Sequence, residues 1–198
     1  AKAHVQSEMA AREADEALSM RQRSPAGIHT WLEDAISLGG EAMFGRPNTI
    51  NPGEAKDQLQ SRFVLKVMAH HLGATLGSVF ASEDGDQALP AGALALAACA
   101  VERAFLWYKD DQPKGIPMTP FSQHHAGKVT GNWRETAVQE LVDRSHRFER
   151  LLSRARALVT AVPPLAPVTT TQQGSATNRL YVRERSSSPP AALFYDDE

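Results

Sequence analysis

"LPAGALALAACAVERAFLWY", residues 89–108, is the most apolar stretch of the 198-residue chain, yet it holds Glu102 and Arg103 side by side. A membrane span, a cofactor box and the buried spine of a helical bundle all fit a first glance. The uncharged run from Pro90 to Val101 is only 12 residues, whereas a span needs about 20. Any longer span would enclose Glu102 and Arg103, and charges inside a bilayer are costly. Alanine is a strong helix former but only weakly lipophilic. The spine is the better reading, and no membrane association is expected. Leu94, Ala98, Val101, Phe105 and Tyr108 form one face of the helix. Ala93, Ala97, Ala100, Ala104 and Trp107 form a second, mostly small face. Two apolar faces call for neighbours on both sides, and small side chains let them come close. Glu102, Arg103 and Leu106 are left for a narrow wet edge.

Working outward, Ser24-Pro25 reads as an N-cap followed by proline at the first helical position. Ile28, Trp31, Leu32, Ala35 and Ile36 then recur at helical spacing up to Gly39-Gly40. Asn51-Pro52-Gly53-Glu54 matches a capping box. It predicts a helix carrying Leu59, Phe63, Val67, Leu72, Leu76 and Val79-Phe80. "SEDGDQALP" (82–90) is a polar turn, and "KDDQPKGIPMTPFSQ" (109–123) a proline-rich connection in which Ser122 caps a short turn. Asn132-Trp133-Arg134-Glu135 is a second capping-box pattern, expected to open one long amphipathic helix reaching Val159. Residues 1–23 have helical composition but almost no apolar face, so a frayed helix or disorder is expected there. They are also too polar for a signal-peptide core. Residues 163–198, rich in Pro, Ser and Thr, read as a disordered tail. No alternating strand stands out; "RLYVRER" is the nearest, and it is short.

These readings predict an all-α fold. Residues 24–162 form a single bundle domain of four or five helices around a buried Ala-rich central helix, flanked by disordered tails.

The segment from Phe63 to Leu152 has an apolar helix with a central histidine, then a proline followed by "ALALAACAVERAF". A tryptophan, a short linker, "PFS" and a long C-terminal helix come after it. This pattern resembles an uncharacterised helical domain family of mushroom-forming fungi. The resemblance implies an all-helical fold in a fungal, intracellular setting, and supplies no catalytic residues.

Charge and composition narrow the function classes. With 21 Lys and Arg against 23 Asp and Glu, the net charge is −2 and the pI about 6.4, so the whole chain is not a polyanion seeker. One cysteine, Cys99, excludes an intramolecular disulfide framework and fits a reducing compartment, cytoplasmic or nuclear. His70-His71 and His124-His125 invite a metal. Neighbours on a helix point about 100° apart, however, and neither HExxH nor CxxC is present. GxSxG, GxGxxG and the Walker pattern are absent too. No catalytic residue, metal or cofactor is expected. The candidates that remain are Glu102, Arg103 and His70 as buried polar groups, and Arg147, Arg150 and Arg154 as a basic flank able to meet phosphates.

The favoured function is a non-enzymatic interaction or scaffold domain with a protein partner. A nucleic-acid-associated protein using the arginine flank is the alternative. A third is an enzyme with an unrecognised site near the histidine pairs and Glu102.

Overall fold

The computed structural model describes residues 1–75, 89–110, 119 and 121–159. All fall within one compact unit, Ala1–Pro163. In chain order the elements are α1 (Lys2–Ala14), α2 (Met20–Arg23), α3 (Pro25–Ile36), β1 (Phe44–Arg46), β2 (Lys56–Gln58), α4 (Arg62–Thr75), α5 (Ala91–Lys109), α6 (Gln123–Trp133), α7 (Gln139–Val142) and α8 (Ser145–Val159). A single π turn, Arg134–Val138, joins α6 to α7 as one rod.

The expected spine is α5. Leu94, Ala95, Ala97, Ala98, Cys99, Val101, Ala104 and Phe105 are buried along it. It packs against α1, α3, α4, α6 and the π turn. Among the described residues it is the one helix long and apolar enough to cross a membrane by length and composition. Here it is the core of the bundle. Phe105 sits at the centre, its ring 4.9 Å from Phe63 edge-on and 5.6 Å from Trp31. Such pairs contribute about 0.5–1.5 kcal/mol beyond the area they bury.

The fold is all-α, but the helix count needs correction. The described residues form seven helices, with the α6–α7 rod counted once, rather than four or five. Two causes account for the excess. The polar N-terminal stretch is helical: Ser19 and Gln22 form a reciprocal capping box that starts α2, and Val5 of α1 is completely buried. At the other end, the helix expected to begin at Asn132 begins at Gln123 instead. It then breaks at Asp143–Arg144 before α8.

The segment before α4 also departs from expectation. Asn51 makes no side-chain cap, and Pro52–Glu54 is one 3-10 turn. The Asn48 side chain accepts from the Asn51 N–H instead. The chain then enters β2, which pairs antiparallel with β1. The real cap of α4 is Ser61. Its Oγ accepts from Val64 N at 3.1 Å and donates to Ala42 O at 2.6 Å. Ser24, by contrast, caps α3 through Gly27 N, with Pro25 in the first turn. The polar turn expected at 82–90 up to its last two residues, the end of the α4 stripe at Leu76 and Val79-Phe80, and the expected disordered tail at 163–198 with its "RLYVRER" run lie outside the described residues.

Phe105→Ala is expected to lower the unfolding free energy by about 3–5 kcal/mol, because it empties a wholly buried aromatic site. Urea denaturation followed by far-UV circular dichroism measures this. A loss under 1 kcal/mol would show that Phe105 is not the centre of the core.

Candidate functional site

Gly39, with φ +80°, turns the chain after α3; a side chain there would strike the Asn48 carbonyl. The turn delivers Glu41 against three helices. Its Oε1 accepts from the Trp31 indole N–H and lies 3.1 Å from Arg12 Nη2, and its Oε2 lies 3.6 Å from Arg62. Arg62 also pairs with Glu8 at 2.8 Å. Arg12 stacks over Trp31, 4.5 Å from the ring centroid. One carboxylate thus ties α1, α3 and α4 together. The shared partners reduce the ordering cost of each pair, which is why a network exceeds isolated surface pairs.

Beside this network lies a cleft of about 450 Å³ between the hairpin, α4 and α8. Glu41, Arg62, Lys66, Gln60 and Arg154 line it, with Phe44, Leu65 and Leu158 as apolar wall. Arg154 Nη1 donates to Gln60 Oε1 at 2.9 Å, and Gln60 is only 3% exposed. Gln60 is presented by a turn in which Asp57 and Leu59 are both left-handed, at φ 60° and 59°. Non-glycine residues in that region store strain that the surroundings must hold. Leu59 is held by complete burial, Asp57 by Arg46 Nε at 2.8 Å. Arg46 keeps the Asp57 carboxyl below its ordinary value, mainly through that hydrogen bond; burial opposes the shift, and the charges of Arg46, Arg154 and Arg150 add to it.

A second concavity, about 320 Å³, lies where α6 crosses α5. Leu96 and Phe121 flank it, 46% and 48% exposed. Ala126, Gly127 and Gly131 contribute small surface, and Thr130, whose buried Oγ1 has no hydrogen-bond partner, also lines it. Arg103 stacks over Phe121 at 5.2 Å.

The sequence-predicted residues fall as follows. Glu102 is half-buried and accepts from Trp133 Nε1 at 2.7 Å. Arg103, also half-buried, donates to the Thr119 carbonyl and hydroxyl at 2.8 and 2.9 Å. His70 is exposed rather than buried. It stands two residues past buried Met68, about 200° round the helix. His71, His124 and His125 are exposed as well, and Cys99 Sγ faces the Ala126 carbonyl at 3.8 Å. The histidine pairs therefore converge neither with Cys99 nor with Glu102. Among the described residues no three His, Cys, Asp or Glu side chains are grouped to hold a metal. The arginine flank is dispersed. Arg147 lies 4.0 Å from Glu140, Arg154 turns to Gln60, and Arg150 is exposed.

Sequence reasoning missed Glu41, Asp57 and Gln60. Only the glycine pair before Glu41 marks that position as special. No family model, no curated protein and no solved structure matches this chain.

Asp57→Asn isolates the charge, since asparagine accepts a left-handed backbone at least as readily. The folded carboxyl is depressed, so its stabilisation is complete above the ordinary value of 3.8 and fades as pH falls through the lower folded value. The variant should be less stable than the parent at neutral pH, and the difference should shrink as the solution is acidified below about pH 4. Melting temperatures of both proteins across that range test it. A pH-independent difference would remove Asp57 from the charge network.

Proposed function

We propose that this chain is a non-enzymatic helical interaction domain whose binding face is the groove between α5 and α6. The observation that carries the reading is the pairing of exposed Leu96 and Phe121 across a groove floored by small residues. Exposed large apolar side chains grouped at a concavity favour a partner's apolar side chains. A flat run of alanine and glycine lets a helix backbone approach closely. The unsatisfied Thr130 hydroxyl adds a polar contact for that partner to satisfy. The matching partner is an amphipathic helix that inserts its apolar face.

The resemblance to the helical family of mushroom-forming fungi belongs to the same proposal, as does an intracellular setting in which Cys99 stays reduced. The nucleic-acid alternative has less support, because Arg147 lies beside Glu140 and Arg154 directs one N–H to Gln60 in a separate cleft, so the three arginines are not left as one unpartnered flank. The enzyme alternative has less still, because Glu102 is engaged by Trp133 and the histidines lie apart from it.

Gly131 offers a clean handle, since a side chain there meets nothing within 4 Å. Gly131→Ala should stabilise the helix by about 0.5–1 kcal/mol, and Gly131→Leu should fill the groove without harming the fold. Affinity capture from basidiomycete extracts is the functional test. A partner held by the parent should be lost with Leu96→Asp and with Gly131→Leu, and kept with Arg150→Gln. Capture of the same partners by all four proteins would end this reading.

A further inference from the structure

The cleft between the hairpin, α4 and α8 is independent of the groove, and its charge is unlike that of the chain. Arg62 and Lys66 stand one turn apart on α4, and Arg154 reaches in from α8. Glu41 is the one carboxylate in the lining, and Trp31, Arg12 and Arg62 already occupy it. Asp57, near the rim, is taken by Arg46. Lys66 has no ion pair among the described residues, and its charge helps to push the His4 imidazole down, after burial and the chain's amino terminus. Arg62 is paired with Glu8 and Glu41, which leaves Lys66 and Arg154 as the two lining cations without an ion pair among the described residues, in a chain whose net charge is −2.

The polar groups are also fixed in place. Gln60, nearly fully buried, accepts one N–H of Arg154. The planar guanidinium has five N–H donors in a rigid fork, so most of them remain for a ligand. The strained turn at Asp57 and Leu59 sets the position of Gln60, and strain of this kind clusters at ligand sites. Phe44, Leu65 and Leu158 lower the local polarity around these cations, which strengthens any charge-assisted hydrogen bond formed there.

We propose that this cleft binds a small phosphate-bearing anion, with Lys66 and Arg154 as its charged contacts and Gln60 as the residue that positions Arg154. The volume of about 450 Å³ suits a ligand of up to nucleotide size. Phosphate geometry matches the guanidinium fork, and the ammonium of Lys66 acts as a point charge beside it.

Calorimetric titration of the full chain with inorganic diphosphate, and separately with adenosine diphosphate, tests this at low ionic strength in a phosphate-free buffer. Saturable one-site binding is expected for diphosphate. Lys66→Gln and Arg154→Gln should each weaken it by about tenfold, and Lys128→Gln, on exposed α6 surface, should not change it. Equal affinity for both ligands supports recognition of the phosphates alone. Tighter binding of adenosine diphosphate supports use of the apolar wall as well, and binding of diphosphate only restricts the site to inorganic anions. Should Arg154→Gln fail to fold, Lys66→Gln still decides, because Lys66 is exposed. Absence of saturable binding, or unchanged affinity in Lys66→Gln, overturns the proposal. So does a short oligothymidylate that binds more tightly than diphosphate and loses that advantage in Arg150→Gln, which would make the surface a nucleic-acid path.

Discussion

The small radius of the side chains along α5 is the constraint on which the remaining architecture rests. Ala95, Ala97, Ala98, Cys99 and Ala104 are all buried, and none projects far enough to hold a neighbouring helix away. Four helices and the π turn therefore gather round a single axis. The larger fully buried residues, Leu94, Val101 and Phe105, share one face, and Phe63 and Trp31 close over Phe105. Such crowding leaves α5 little free surface. The large apolar side chains it does expose, Leu96 and Leu106, lie on the edge that also carries Glu102 and Arg103.

Charge does at the periphery what alanine does at the centre. α1 buries only Val5 completely, with Met9 partly buried against the core. Glu8 and Arg12 add ion pairs to Arg62 and Glu41. Lys2 over Trp107 and Tyr108 with Gln6 extend the attachment along α5. Glu41 is half-buried, so its attractions are screened less than those of a fully exposed pair. The same network borders the cationic cleft, and it uses up the carboxylate that would otherwise neutralise Lys66 and Arg154.

What the sequence made legible was local or strongly periodic. The spine was readable because its uncharged run is too long for a strand and is closed by Glu102 and Arg103 before it reaches the length of a bilayer span. The start of α3 was readable because Ser24-Pro25 is a cap whose bonds stay within one turn. Asn51-Pro52-Gly53-Glu54 misled for the same reason. It satisfies a local pattern, but Asn48 and the hairpin compete for the same backbone groups. Strands of three residues leave no alternation to detect. Glu102 was recognisable as a polar group on an apolar helix, yet its partner Trp133 lies 31 residues away, beyond the proline-rich connection, where no local pattern pairs the two. The Glu41 and Gln60 contacts join positions 29 and 94 residues apart. Periodicity carries no information about such pairings.

The solitary thiol has a consequence for how motions of this molecule can be followed. Cys99 is wholly enclosed between α5 and the Ala126 carbonyl of α6, so an alkylating reagent reaches it only in conformers where those helices have parted. With no second cysteine to compete, its labelling rate is an intrinsic meter of that separation. Where closing outpaces modification, the rate reports the population of the parted form.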